Sequence, residues 1–198
     1  FNILNNAIEA DRFTFNNKVR DAIRNEFGIE AKYVIGHVGR FHPQKNHEFL
    51  IDIFKNIHDK IEDSVLLLVG EGSLKESMQL KVRKEKLESC VIFAGVRSDV
   101  PYIFQGMDLF MFPSLYEGLG IVVVEAQAAG LNCIVSDQIP DEAIITKLVE
   151  KVSLSKSPEY WSERAIEKIN SQREDTSTLI KDAGYDINDT TKWLEKFY

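Results

Sequence analysis

The sequence predicts an α/β fold in which helices cover both faces of a parallel β-sheet. Short runs of consecutive apolar residues, typical of strands buried on both faces, alternate with longer segments of helical character. The chain has 198 residues, of which 44% are hydrophobic, so one domain with a sizeable core is expected. No run reaches the 18 or more apolar residues that a membrane-spanning helix requires.

Each element of this fold can be placed on the chain. Strands are expected in five apolar runs, at 33–38, 65–69, 91–94, 109–112 and 133–135. Helices are expected at 17–27, 47–57, 74–86, 100–105, 121–129, 158–170, 176–183 and 188–196. Glycine follows three of these helices, and Pro158 begins another. Ser73 and Glu76 fit a capping box, and residues 1–13 suggest a short strand and an asparagine-rich turn.

One stretch, residues 112–137, combines a glycine loop, an apolar run and two spaced carboxylates: FPSLYEGLGIVVVEAQAAGLNCIVSD. Its valines favour a strand by propensity, but the Glu-Ala-Gln-Ala-Ala that follows favours a helix, so we expect a helix beginning near Gly120. The free N–H groups and the dipole at its start predict a phosphate site. Glu117 and Glu125 flank that site, where carboxylates can accept hydrogen bonds from the hydroxyls of a polyol.

Glu117 and Glu125, set in EGLGIVVVE and followed by AQAAGLNCIVSD, resemble the Glu-x7-Glu signature of retaining glycosyltransferases of family 4. The resemblance implies a Rossmann-like parallel sheet with helices on both faces, which is one half of a GT-B fold. It covers nearly the whole chain. It therefore implies that residues 1–198, including terminal helices at about 158–198, form the C-terminal donor-binding domain, and that the N-terminal acceptor domain is absent.

The loop after the first strand supplies basic residues. In GRFHPQKN, residues 39–46, Arg40 and Lys45 are expected at the carboxyl end of the sheet, where ligands of such sheets bind. The loop resembles the family's Gly-Arg-x4-Lys segment, whose basic pair holds the donor diphosphate. Two further strand-end loops, at Gly70 and Val96, resemble segments that border the nucleotide and its base, although a tight structural turn explains both equally well.

The resemblance assigns the donor site residue by residue. Arg40 and Lys45 hold the diphosphate, Glu117 meets hydroxyls of the sugar, and Glu125 meets the ribose. Arg40, Lys45 and Glu117 are the expected catalytic residues, with the basic pair stabilising the leaving group. The full expected donor site is Gly39, Arg40, Lys45, Gly70, Val96, Glu117, Gly118, Leu119, Gly120, Ile121, Val122 and Glu125.

The longer match, through EAQAAGLNCIVSDQIP, resembles bacterial enzymes of capsular or exopolysaccharide assembly. It makes a nucleoside diphosphate sugar, with a UDP-sugar leading, the expected donor. A glycan or a lipid-linked molecule is the expected acceptor, bound through the absent domain. Without that domain the chain is expected to be inactive. A net charge of −7 argues against a nucleic-acid partner.

No metal and no other cofactor are expected. The four histidines lack metal-ligand spacing with cysteine or carboxylate partners, and each is expected to have an ordinary surface or strand-end role: His37, His42, His47 and His58. Cys90 and Cys133 are expected to be buried free thiols, which indicates a reducing cytoplasm. Attachment at the inner membrane would come through the absent domain.

Three other functions remain open from the sequence. The chain could be a nucleotide-binding module without activity, or part of a GT-B epimerase of nucleotide-sugars. A nicotinamide oxidoreductase is less well supported, because Gly70-x-Gly72 lacks the third glycine of a dinucleotide-binding fingerprint.

Overall fold

The computed structural model describes residues 6–30, 32–188, 190–191 and 195. Its strands are β1 Tyr33–Val38, β2 Ser64–Val69, β3 Val91–Gly95, β4 Leu109–Phe112, β5 Asn132–Ser136 and β6 Val149–Val152. They form a parallel sheet in the order β3-β2-β1-β4-β5-β6. The predicted Rossmann-like α/β fold is therefore confirmed.

The helices lie between and after the strands. They are α1 Asn17–Phe27, α2 His47–His58, α3 Lys75–Lys84, α4 Val100–Gly106, α5 Ile121–Ala128, α6 Pro158–Lys168 and α7 Ser177–Asp182. Short 3-10 turns lie at Ala10–Phe13, Pro43–Lys45 and Asp141–Ala143. The predicted strands in the five apolar runs and the predicted helices up to residue 183 are all present, with ends displaced by at most two residues.

Two local predictions were wrong. The strand β6 was missed, because its sequence VEKV carries two charges and lacks an apolar run. It lies at the edge of the sheet, where Glu150 forms ion pairs with Arg164 and Lys168 on α6. The capping box was also wrong: Leu74 precedes the first residue of α3, and no side chain caps that helix. The N–H of Leu74 instead donates to the carbonyl of Phe41 at 3.1 Å, which holds residue 74 in a turn.

The chain termini are described in part. Ile8 forms an isolated parallel bridge with Asp186, and the 3-10 turn Ala10–Phe13 follows it. In the described part of residues 1–13, the predicted strand is therefore only this one bridge. Residues 1–5 and most of the predicted helix 188–196 lie outside the described residues. No helix among the described residues combines the length and the apolar character that crossing a bilayer requires.

Side chains of the strands alternate between two apolar clusters, one on each face of the sheet. Val65, Leu67 and Val69 of β2 point into one cluster, and Leu66 and Leu68 into the other. All five are at most 4% exposed. Successive side chains of a strand point to opposite faces of the sheet, so a strand that is apolar at every position must be covered on both faces. This is why the apolar runs predicted the strands well.

A cluster of arginines lies at the amino end of β4, opposite to the end where ligands of such sheets bind. Arg20 and Arg24 of α1 both form ion pairs with Asp108. The guanidinium of Arg173 donates to four backbone carbonyls, those of Phe104, Gln105, Met107 and Ala129. Burial lowers the pKa of Arg173. These cations satisfy the carbonyls at the end of α4, where the helix dipole is negative.

Candidate functional site

The candidate site is a cleft at the carboxyl ends of β1 and β4. The strand order reverses between these two strands, and ligands of open α/β sheets bind at such a switch point. The cleft has a volume of about 460 Å³. Its lining is Asn6, Val38, Gly39, Arg40, Lys45, Val100, Glu117, Leu119, Gly120, Ile121, Val122 and Glu125.

The helix α5 begins at Ile121, as predicted, with Gly120 before it in the left-handed region at φ 77°. The strand propensity of its valines is overridden because the helix is buried: Val123, Val124 and Ala126 are 0% exposed. A helix that is apolar around most of its circumference belongs inside a core. Its first turn opens on the cleft through Ile121 and Val122, so its free N–H groups provide an anion-binding end.

The structure brings Lys45 and Glu117 together. Lys45 Nζ donates to Glu117 Oε1 at 2.6 Å, and the two side chains are 17% and 8% exposed. The ammonium also lies 4.7 Å from the centre of the Phe112 ring. The residue expected at the diphosphate and the residue expected at the sugar are therefore direct neighbours in one cleft, although they are 72 positions apart in sequence.

The other predicted residues fall into two groups. Gly39 and the exposed Arg40 line the cleft beside Lys45. Gly70, Val96 and Gly118 do not line it, and Val96 is 76% exposed. Gly70 supports the cleft indirectly, because a Cβ built there would lie 2.2 Å from the carbonyl oxygen of Gly39. Only glycine allows the two loops to approach so closely.

A buried pair of histidines lies beneath the loop of residues 39–46. The rings of His37 and His47 are 4.6 Å apart, and His37 Nδ1 lies 2.9 Å from the carbonyl oxygen of Met111. Burial lowers the pKa of His37 well below its usual value, and it lowers the pKa of His47 to about 4. Both imidazoles are thus neutral at pH 7. The expected surface or strand-end role is wrong for His47. This residue is buried at the start of α2, and its ring stacks on the ring of Phe41 with centres 4.2 Å apart.

Three cleft residues were missed in the sequence. Val38 and Val100 are apolar residues at the ends of elements, and such residues give no chemical signal. Asn6 belongs to the segment within 1–13 that was assigned to a strand and an asparagine-rich turn, and its amide could have been considered as a ligand group. Among the described residues, no group of three or more His, Cys, Asp or Glu side chains is arranged to hold a metal ion.

Glu125 lies one turn into α5, and burial raises the pKa of its carboxyl group to about 7. The ordinary value in an unfolded chain is near 4.3, so the folded state retains a proton that the unfolded state loses between these two pH values. The free energy of unfolding therefore falls as pH rises from about 4.3 to about 7, and it stays at the lower value above pH 7.

Replacing Glu125 with glutamine is consequently expected to stabilise the fold at alkaline pH. We expect urea denaturation to give a free energy of unfolding about 2 kcal/mol higher than the parent at pH 8.5, after allowance for partial exposure, and a difference near zero at pH 4.5. Glu163→Gln, on a side chain that is 61% exposed, is the matched control. Equal effects of Glu125→Gln at the two pH values would contradict the assignment of a raised pKa.

Gly118 and Gly120 are expected to respond differently to alanine. A Cβ built at Gly118 meets no atom within 4 Å, whereas Gly120 has φ 77°, which strains an alanine by about 1–2 kcal/mol. We expect Gly118→Ala to leave the melting temperature unchanged but to weaken binding of UDP, the nucleotide expected from the sequence, because the added methyl group would meet a donor held against the backbone of residues 118–122. Gly120→Ala should lower the melting temperature. Thermal melts with UDP titrations check both, and unchanged UDP affinity in Gly118→Ala would place the ligand elsewhere.

Comparisons with known proteins concern the family and the fold. The family described as "Glycosyl transferases group 1" matches residues 19–184. EpsF of Bacillus subtilis (strain 168), whose name describes a glycosyltransferase, is 35% identical over 201 residues, which cover 99% of this chain and 52% of EpsF. The UDP-Gal:alpha-D-GlcNAc-diphosphoundecaprenol alpha-1,3-galactosyltransferase of Escherichia coli is 32% identical over 68% of this chain and 36% of its own length. The chain therefore spans about half or less of these relatives.

Two solved structures share the fold. HepE of Anabaena, solved in complex with UDP and glucose, has a TM-score of 0.77 and 19% identity, and the match covers 99% of this chain and 56% of HepE. The C-terminal domain of LpcC, a group 1 family protein from Francisella tularensis, has a TM-score of 0.68 and 20% identity, and the match covers 94% of this chain and 97% of that domain. The fold described above is thus shared with a separately crystallised C-terminal domain.

Proposed function

Because this chain belongs to the glycosyl transferases group 1 family, we propose that it is the donor-binding domain of a retaining glycosyltransferase. The enzyme transfers a sugar from a nucleoside diphosphate sugar to an acceptor, and the acceptor domain belongs to the remaining half of the protein. As in the sequence-based hypothesis, this domain alone binds the donor and does not turn it over.

One observation carries the proposal: two cations, a helix N-terminus and two carboxylates line the same cleft. Arg40 and Lys45 line the same cleft as Ile121 and Val122 of the first turn of α5. A diphosphate between them would be bound by an arginine fork, an ammonium group and backbone N–H groups. Glu117 and Glu125 would then accept hydrogen bonds from the sugar and the ribose.

These groups also supply the chemistry that the proposal requires. When the bond between the sugar and the diphosphate breaks, negative charge develops on the leaving phosphate. Donors that are already oriented towards that charge stabilise the transition state, and here they are Arg40, Lys45 and the amides at Gly120–Val122. Glu117 would hold sugar hydroxyls and the Lys45 ammonium together. The proposal includes no metal ion, because protein cations would neutralise the diphosphate.

The names of relatives support the class of donor and acceptor. The Escherichia coli relative is named for a UDP-sugar donor and a diphosphoundecaprenol-linked acceptor, and a Salmonella typhi relative is named for Vi polysaccharide biosynthesis. We therefore propose a UDP-sugar as donor and a glycan or lipid-linked acceptor in a bacterial polysaccharide or capsule. Cys90 and Cys133 are buried free thiols, which fits the proposed location in the cytoplasm.

A thermal-shift titration of this chain with UDP, GDP, ADP and NAD, each with and without EDTA, tests the proposal. UDP at 100 times its dissociation constant should stabilise the fold by about 2.7 kcal/mol, or about 5–10 °C for a domain of this size. The shift should be insensitive to EDTA and lost in Arg40→Ala. A shift with NAD alone would favour the oxidoreductase, and loss of the UDP shift in EDTA would reject metal-independent binding. No shift with any nucleotide would reject donor binding by this domain alone.

A further inference from the structure

Two loops of the cleft are joined by hydrogen bonds that do not involve the proposed ligand groups. The basic loop is residues 39–46, and the acidic loop is residues 113–118. The N–H of Leu115 donates to the carbonyl of Gln44 at 2.8 Å, and Gln44 Nε2 donates to the carbonyl of Tyr116 at 2.9 Å. Asn46 Nδ2 donates to the carbonyl of Pro113 at 3.2 Å. The two sequence neighbours of Lys45, Gln44 and Asn46, are thus both hydrogen-bonded to the acidic loop.

The sheet itself does not hold these loops together. The strands β1 and β4 pair at only two positions, Ile35 with Leu109 and Gly36 with Phe110. Their ladder of paired residues ends before the two loops begin. The bonds from Gln44 and Asn46 therefore provide the connection between the two loops that the ladder no longer provides.

Asn46 has an unusual backbone conformation that fits this role. It lies in the left-handed region, at φ 56° and ψ 43°, where residues other than glycine are uncommon and asparagine is tolerated best. Glycine would satisfy the backbone at this position, but it has no side chain to donate to Pro113. Asparagine satisfies the backbone and supplies the amide.

We propose that Gln44 and Asn46 are positioning residues that fix Lys45 against Glu117, so that the basic and acidic sides of the cleft have one defined separation. The inference rests on the proposed function. A lysine side chain is a flexible four-carbon chain, and its ammonium group lacks the rigid planar fork with which arginine binds a carboxylate. The 2.6 Å contact between Lys45 and Glu117 therefore requires that the backbones of both loops are held in place. Gln44 and Asn46 act through Lys45 and do not touch the donor themselves.

The first test needs no ligand. A double-mutant cycle with Lys45→Met and Glu117→Gln measures the coupling between these side chains in the free energy of unfolding. The cycle is repeated in the background of Gln44→Ala with Asn46→Gly, where glycine retains the left-handed backbone. We expect the coupling to fall by roughly half or more. Coupling of the same size in both backgrounds would overturn the proposal.

The second test uses UDP, measured by calorimetry on the same chain. Gln44→Ala with Asn46→Gly should weaken binding about tenfold, because Lys45 is then no longer held in the position from which it meets the phosphate. The same two changes made in a Lys45→Met chain should have almost no further effect, because the positioned group is already missing. Additive losses would show that the two residues act independently of Lys45 and would overturn the proposal.

A matched control is Gln172→Ala, on an exposed residue that lines a separate cavity with Arg20 and Asp108. It should change neither the coupling nor the affinity. If the parent chain fails to bind UDP, the proposed donor site of the isolated domain fails, while the coupling measurement still decides the positioning role. If the parent binds UDP and the coupling is unaffected, only the positioning role fails.

Discussion

Replacing Lys45 with methionine is expected to weaken binding of UDP about 100-fold, or about 2.7 kcal/mol. Methionine keeps an unbranched apolar chain against the Phe112 ring but removes the ammonium group. Two effects add. The phosphate loses a charge-assisted hydrogen bond, and Glu117, which is 8% exposed, loses the cation that neutralises it. The carboxylate then repels the incoming phosphate from a partly desolvated position.

Calorimetric titration with UDP measures this loss, and circular dichroism verifies that the variant is folded. Lys60→Met is the matched control, because Lys60 is 48% exposed and pairs with Glu163 at 3.7 Å. It should bind UDP as the parent does. A dissociation constant for Lys45→Met within about threefold of the parent value, or less than 1 kcal/mol, would show that the diphosphate does not reach Lys45.

Replacing Arg173 with alanine is expected to lower the free energy of unfolding by about 3–4 kcal/mol. The change removes four hydrogen bonds, and the carbonyls of Phe104 and Ala129 lose their side-chain donor. The carbonyls of Gln105 and Met107 keep a hydrogen bond from Arg20. The change also removes a cation that lies 4.7 Å from the centre of the Phe15 ring. An unsatisfied buried carbonyl costs more than the hydrogen bond itself contributes, so the loss should exceed that of an ordinary surface arginine.

Urea denaturation of the two chains measures this difference. Arg164→Ala is the matched control, since its side chain is 31% exposed and pairs with Glu150 and Glu167 at the surface. It should cost less than about 1 kcal/mol. The arginine cluster lies at the opposite end of β4 from the cleft, so folded Arg173→Ala should retain the parent affinity for UDP. A loss of stability equal to that of Arg164→Ala would mean that water replaces the guanidinium at these carbonyls.

The sequence predicted the sheet well because burial on both faces makes a strand apolar at every position. This signal was present in Val65–Val69 and absent in β6, where only one residue of four is fully buried. The helix α5 was the harder prediction, because local propensity and tertiary burial opposed each other over Val122–Val124. The alanines that follow favoured the correct choice. The false capping box shows the reverse case, in which a local pattern was overruled by the bond between Leu74 and Phe41.

The candidate site could be predicted to the level of its loops but not of its contacts. Strand ends locate Arg40, Lys45 and Glu117 at one edge of the sheet, because parallel strands share their carboxyl ends. The ion pair between Lys45 and Glu117 joins two such loops, and sequence spacing does not encode distances between them. The raised pKa of Glu125 likewise depends on how much of the helix is buried. The roles of these residues toward a donor stay predictions.

The charged edge strand β6 has a consequence for how copies of this chain behave at high concentration. An edge strand offers unpaired N–H and C=O groups to any other extended segment, and such edges start aggregation when they are flat and apolar. In β6 the side chains of Glu150 and Lys151 are tied to Arg164, Lys168 and Asp141 in ion pairs. A second chain that added a strand here would have to bury or break these pairs. The charges that made the strand hard to recognise in the sequence thus protect this edge of the sheet from pairing with a further strand.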